Sequence, residues 1–440
     1  MTTRRDLLSA AALGFALMSG PGQQLALAAE PPPRPATPAE QDQAPPVERE
    51  PYDPERGRKT VEFWEKQVAA DPRGPVGFRT LATAYLARQR ETGDIADAVR
   101  AERAARKSLE LLPGNDVALT RLCRSLLTQH RFPEAMEVAD LAVKSDPQAN
   151  RLRADILLEL GEYDAARRAS EAIPPQEEDL HLMALRARFL EIDGKPDQAR
   201  DLMRAAQRLA DSSYGLPEET VAWYHTMIGH SLIDSGKLEE GERSCRKALE
   251  IFPGDYRAMT GMAEASAWRG DWKGAIVWGQ RAIATSPQNP EVLRLLGEAH
   301  AKLGQAEDAE GQYRLLEKLA KSFPSIYDRH WALFCADTGR DLDGALALAR
   351  KDIELRRDIH AYDTLAWACF KKGLLPEAEA AMTKALARGT QDASLFQHAG
   401  AIARAVGDIA KADTYDARAR DLNPYLMQAE GDAKPAAVKD

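Results

Sequence analysis

Cysteine is scarce in this sequence, with four among 440 residues, and none sits at the paired spacing of a metal site. That argues against a disulfide-framed or zinc-ribbon fold. Aromatic residues make up only 6% and β-branched runs are few, which disfavours a sheet-based core. The sequence has no Gly-x-Ser-x-Gly elbow, no phosphate-binding glycine loop, no dinucleotide fingerprint and no His-Glu-x-x-His. An enzyme is therefore not expected, and no cofactor or metal is implied. A basic stripe is also missing. With a net charge of -9 and a pI near 5.6, the field repels a nucleic-acid backbone. The apolar stretch Leu8 to Met18 is eleven residues long, too short for the roughly twenty that span a bilayer.

What is abundant is alanine and leucine, within 44% hydrophobic and 29% charged residues, a mixture that favours helices. Glycines recur at Gly161, Gly194, Gly236, Gly270, Gly304, Gly339, Gly373 and Gly407, spaced 33, 42, 34, 34, 35, 34 and 34 apart. Seven residues before them stand Ala154, Ala187, Gly229, Ala263, Gly297, Ala332, Ala366 and Gly400. Five residues after them stand Ala166, Ala199, Gly241, Ala275, Ala309, Gly344, Ala378 and Ala412. All of these are Gly or Ala, and a fixed period of this length signals a repeat architecture. A glycine accepts the left-handed backbone that ends one helix, and a second helix starts just beyond it. Small residues on either side let the two helices approach closely at their crossing. Prolines at Pro253, Pro287 and Pro424 close the second helix.

Small residue, tight turn, small residue and closing proline at a 34-residue period resemble the tetratricopeptide repeat family. The resemblance covers residues 55–424 and implies an all-α, right-handed α-solenoid superhelix of about ten stacked hairpins. Its expected role is to bind a protein or peptide partner on the concave face. Two earlier units fit less cleanly, one with His130 in the turn, and Lys59 to Ala70 reads as an N-terminal cap helix. The long 42-residue step contains extra residues near 212–219, where the array is expected to carry a loop or a break. The last repeat places Asp416 where interior repeats carry Met203, Cys245, Tyr313 and Met382, giving a polar outer face. Cys123, Cys245, Cys335 and Cys369 fall on core positions and are expected to be buried free thiols.

The first helix of each hairpin lines the concave face in the proteins this chain resembles. The positions opposite its core stripe are those about 13, 10, 6, 3 and 2 residues before the turn glycine, by helix geometry. They select Trp223, His230, Arg257, Trp268, Arg294, Arg329, His360, Trp367, Phe370, Lys371 and Arg404 as exposed candidates for partner binding. Tryptophan and arginine are enriched at protein interfaces. Chaperone-tail-binding members of the family clamp a terminal carboxylate with a groove asparagine, and none stands six residues before a turn glycine in this sequence.

Arg4 and Arg5, the apolar stretch after them and the small residues Ala26 and Ala28 resemble a twin-arginine export signal, cleaved near Ala28. Residues 1–28 are read as this signal, 29–54 as a proline-rich linker and 425–440 as a polar tail. The chain is therefore expected in the periplasm, with an uncleaved N-terminal tether as the alternative. The mature chain is expected to carry no stable membrane span. Three rival functions remain at this level: a structural subunit of an envelope assembly, an RNA-binding helical repeat, and an enzyme with an unrecognised site.

Overall fold

The computed structural model of the chain describes residues 52–175 and 179–426. Among them are twenty-one α-helices and no strand, so the protein is an all-α helical-repeat solenoid. Residues 1–28, read above as an export signal, residues 29–51 of the expected linker and residues 427–440 of the expected tail lie outside the described residues.

A lone helix, α1 (Arg56–Ala70), precedes ten antiparallel hairpins. The first four are α2 (Pro75–Thr92) with α3 (Ile95–Leu111), α4 (Asp116–Thr128) with α5 (Phe132–Ser145), α6 (Asn150–Glu159) with α7 (Tyr163–Glu171), and α8 (Leu180–Ile192) with α9 (Pro196–Ser212). The middle three are α10 (Glu218–Asp234) with α11 (Leu238–Ile251), α12 (Tyr256–Trp268) with α13 (Trp272–Thr285), and α14 (Pro290–Lys302) with α15 (Ala306–Ser322). The last three are α16 (Asp328–Thr338) with α17 (Leu342–Leu355), α18 (Ile359–Lys371) with α19 (Leu375–Leu386), and α20 (Ala393–Ala405) with α21 (Ile409–Leu422). First helices of successive hairpins touch one another and form the inner layer.

Local chemistry sets each hairpin. First helices start on a capping side chain: Asp255 accepts from the Arg257 and Ala258 amides, Asn289 from Glu291 and Val292, and Asp358 from His360 and Ala361. They end on a left-handed residue whose successor returns a hydrogen bond to the last helical turn. Glu162 N–H donates to the Leu157 carbonyl, Lys237 to Leu232 and Leu374 to Cys369, each at 2.9 Å. His130, with φ 55°, takes the glycine role between α4 and α5. The small-residue crossing is close: a Cβ on Gly229 would lie 2.6 Å from Cys245 Sγ and 3.1 Å from the Gly241 carbonyl oxygen. All four cysteines are buried free thiols, and burial pushes those of Cys123 and Cys335 up to about 12. The outermost helix α21 buries Ala412 and Ala419 and turns a polar face outward.

The extra residues near 212–219 lengthen α9 and its following loop. Packing runs across them, since Trp223 and Tyr224 share one apolar cluster with Met203, Ala206 and Ala210.

The array winds tightly enough to meet itself. The turn at the tip of one hairpin packs against the loop between two hairpins of the next superhelical turn. Arg357 N–H donates to the Leu160 carbonyl at 2.9 Å, Ile359 N–H to the Tyr163 hydroxyl at 2.9 Å, and the Thr390 hydroxyl to the Ile192 carbonyl at 2.7 Å. His130 Nδ1 lies 3.0 Å from the Ser325 carbonyl oxygen. The sequence separations are 196, 198 and 195 for the last three contacts, so the register is constant along the seam. Both ends join it: Tyr52 meets Phe252 edge-on at 5.1 Å, and Pro424 packs on Gly236. A solenoid of this type is usually held by neighbour contacts alone; here the seam adds contacts of long range.

Candidate functional site in the lumen of the superhelix

The concave positions selected from the sequence divide into two groups. Trp223, His230, Arg257 and Arg329 are buried, at 5%, 3%, 4% and 3% exposure, which overturns the expectation that they are exposed. Trp223 belongs to the core between α8, α9 and α10. His230 Nε2 faces the Arg257 carbonyl oxygen at 2.9 Å, with its Nδ1 3.4 Å from the Glu264 carboxylate. Arg257 donates to the Arg90 carbonyl across the seam at 2.7 Å and to Glu219 at 3.3 Å. Arg329 grips Asp358 through two nitrogens, at 2.7 and 3.2 Å, and reaches Asp352 at 2.8 Å. These groups hold adjacent helices or adjacent superhelical turns together.

The other positions keep some exposure. Trp268, Arg294, His360, Trp367, Phe370 and Lys371 are half-buried, and Arg404 is exposed. Arg294 pairs with Glu298 along its own helix at 3.2 Å, and Arg404 pairs with Asp413 and Asp416. Trp367 donates its indole N–H to Asp337 at 2.7 Å. Its ring stacks on His398 at 3.9 Å and on Phe370 at 5.0 Å, with the Lys371 ammonium 5.1 Å from its centre. This ledge runs across α16, α18 and α20, and the buried His398–Asp363 pair, 3.0 Å apart, lies beneath it.

Where the two superhelical turns face each other, the lumen keeps a cavity of about 180 Å³. A neighbouring chamber of about 40 Å³ lies between α6, α8, α9 and α10. One water needs roughly 10–15 Å³ on this measure, so the larger space takes a side chain or a small group. Arg188, Glu191, Arg200, Met227 and Ser231 line both chambers. The C-terminal ends of α6, α8 and α10 contribute one wall and the capped N-termini of α18 and α20 the opposite one.

The charges in it are unequally partnered. Arg188 donates to Glu159 at 3.0 Å. Arg200 pairs with Asp197 and donates to Ser231 and Ser235 at 3.2 and 3.1 Å. Glu191 makes no side-chain hydrogen bond or ion pair among the described residues. Burial pushes its carboxyl up to about 7 against the opposing pull of Arg188 and Arg200, while Asp234 adds to the rise. Burial likewise raises Asp155 to about 6 and drives the His181 imidazole well below its ordinary value. Glu191 stands three residues before Gly194, so the same helical-position rule selects it once applied to that repeat. Among the described residues, no cluster of His, Cys, Asp and Glu is arranged to hold a metal ion, and no helix is long and apolar enough to cross a membrane.

The raised Glu191 carboxyl has a measurable consequence. From the ordinary carboxylate range up to about 7 the folded state holds more protons than the unfolded state, so stability falls as pH rises through that window. Glu191→Gln should match the parent near pH 4 and exceed it by about 2 kcal/mol at roughly pH 8, with allowance for partial solvation. Urea melts across this range check it, and parallel stability curves for the two proteins would contradict it.

Comparison with known proteins supports the repeat reading in two segments. The family model described as tetratricopeptide repeat matches residues 120–179 and 226–290, which fall on the second and third and on the fifth and sixth hairpins. No curated protein sequence matches the chain. Among solved structures, the chain is similar to the Cut9–Hcn1 heterotetramer of the APC/C, with 14% identity, 86% of this chain and 92% of that one covered, and a TM-score of 0.34. It is also similar to a tetratricopeptide repeat protein from Parabacteroides merdae, with 18% identity, 57% and 96% covered, and a TM-score of 0.34. A third likeness is to the human IFIT1 dimer with PPP-AAAA, with 15% identity, 84% and 77% covered, and a TM-score of 0.39.

Proposed function

We propose that this helical-repeat chain is a non-catalytic scaffold which, after export, holds a protein partner by a short segment entering the lumen of its superhelix. The observation that carries the reading is the axial cavity, where inner helices from both superhelical turns present apolar and charged groups to a space that solvent reaches. A partner helix laid along the concave face would need a channel about 10–12 Å wide. Trp223, His230, Arg257 and Arg329 are packed into the fold on that face, so an extended segment or a chain end is the better fit. Trp268 and His360 line the cavity as half-buried contact groups. Trp367, Phe370 and Lys371 offer a second ledge further along. The arginine pair and apolar stretch of residues 1–28 support export to the periplasm.

Site-specific photo-cross-linking in cells tests both parts at once. A photoreactive residue at Gln391, on the cavity lining, should yield a discrete adduct recovered in the envelope fraction. The same residue at Leu315, which is 50% exposed on the outer helix α15, should yield none. Adducts from Leu315 alone would overturn the lumen reading, and adducts confined to the cytosolic fraction would overturn export.

A further inference from the structure

We infer that the lumen takes a basic side chain of the partner, lysine or arginine, with its cationic head against Glu191. The inference rests on the lumen being the binding site and adds the chemistry of what enters it.

The cavity lining carries five carboxylates, Glu159, Glu191, Asp234, Asp358 and Asp392, against two guanidiniums, Arg188 and Arg200. Its balance of carboxylates against guanidiniums is therefore negative. The helix N-termini that face the lumen do not offset this, because their amides are already engaged. Asp358 accepts from His360 and Ala361, and Asp392 accepts from Leu395. Asp358 is further held by Arg329, and Glu159 by Arg188. Arg200 spends its donors on Asp197, Ser231 and Ser235. Arg188 keeps one guanidinium nitrogen, Nη1, without a hydrogen-bond partner, but the carboxylates on the lining outnumber its guanidiniums.

Glu191 is the exception among these groups, a carboxylate that borders both chambers and has no hydrogen bond or ion pair of its own among the described residues. A carboxylate in a half-buried, apolar-walled setting is costly unless it is paired or protonated, and its raised pKa reports the same need. A cation delivered from outside supplies the missing partner. The route is open, since Asp234 on the lining is exposed and Glu191 is itself only partly buried. Leu158, Ile192 and Met227 provide an apolar wall for the methylene stem, and the half-buried Trp268 offers an indole to a guanidinium or ammonium.

The test is selection of a random linear-peptide library, displayed on phage, against the immobilised full chain. Three variants run in parallel: Glu191→Gln, Glu191→Asp, and Gln391→Trp to obstruct the cavity lining, each checked for helicity and melting. The parent should enrich lysine- and arginine-containing peptides, with about tenfold weaker binding of those peptides to Glu191→Gln and retained selection by Glu191→Asp. Gln391→Trp should lower capture of all peptides. Enrichment of acidic or neutral sequences, or equal binding of basic peptides by Glu191→Gln, would overturn the inference while leaving the lumen as the site. Capture that Gln391→Trp leaves unchanged, or no enrichment by the parent, would count against both.

Discussion

Replacing Gly161 by alanine should destabilise the protein by about 4 kcal/mol and part the two superhelical turns, whereas Gly373→Ala should cost only about 1 kcal/mol. Both glycines end a first helix with positive φ, 79° and 75°, so the backbone cost of a Cβ is shared. Their surroundings differ. Around Gly373 a Cβ meets nothing within 4 Å, but at Gly161 it would lie 2.4 Å from the Arg357 carbonyl carbon and 2.4 Å from the Asp358 amide nitrogen. Those are backbone atoms, which cannot rotate away. Relieving the clash means separating the seam and losing the hydrogen bonds from Arg357 to Leu160 and from Ile359 to Tyr163, each worth about 1 kcal/mol. Urea melts give the two costs, and small-angle scattering of Gly161→Ala should show a larger radius. Equal destabilisation by the two substitutions would mean that the seam does not form in solution.

Arg329→Met should cost about 4 kcal/mol, the range expected when one partner of a buried pair is removed. Burial alone would raise the Asp358 carboxyl, but Arg329, then Arg356 and His360, hold it well below the usual carboxylate range. Without Arg329 that carboxylate, which also caps α18, loses its largest opposing charge and keeps only Arg356, His360 and the capping amides against burial. The sign on pH follows from the lowered pKa: the parental contribution is complete above the ordinary Asp value and is lost as pH falls below it. The variant should therefore show a smaller loss of stability on acidification. Were Arg329 a partner-binding arginine, as its helical position suggests, Arg329→Met would keep parental stability and lose partner capture alone.

The sequence makes the hairpin legible and the winding illegible, for physical reasons. Glycine turns, small crossing residues and the cap helix are local requirements, and each leaves a residue at a fixed offset. The pitch of the superhelix is a sum of small rotations between hairpins, to which no single position is committed. The seam also leaves little trace, because much of it joins backbone to backbone, as between Arg357 and Leu160. One trace was available. A seam glycine such as Gly194, whose Cβ would lie 2.2 Å from the Gly389 carbonyl oxygen, and an open one such as Gly304 look alike in sequence. The concave positions, however, carry complementary partners one repeat apart: His230 with Glu264, Trp367 with Asp337, and His398 with Asp363. Groups that satisfy one another across adjacent inner helices are holding the inner layer together, and this is why His230, Arg257 and Arg329, selected for binding, are buried, while Trp223 is buried in an apolar cluster.

The contact between superhelical turns is tested most directly at Asp164 and Arg388, exposed partners of an ion pair at 2.9 Å, 224 residues apart in sequence. The native cysteines are buried, so spin labels on Asp164→Cys and Arg388→Cys can be placed selectively and their separation read by pulsed electron resonance. One narrow, short distance is predicted, that of side chains in contact across the seam. A broad distribution centred several helix diameters further out, tens of ångströms at about 10 Å per helix, would mean that the solenoid is open and its concave face a groove.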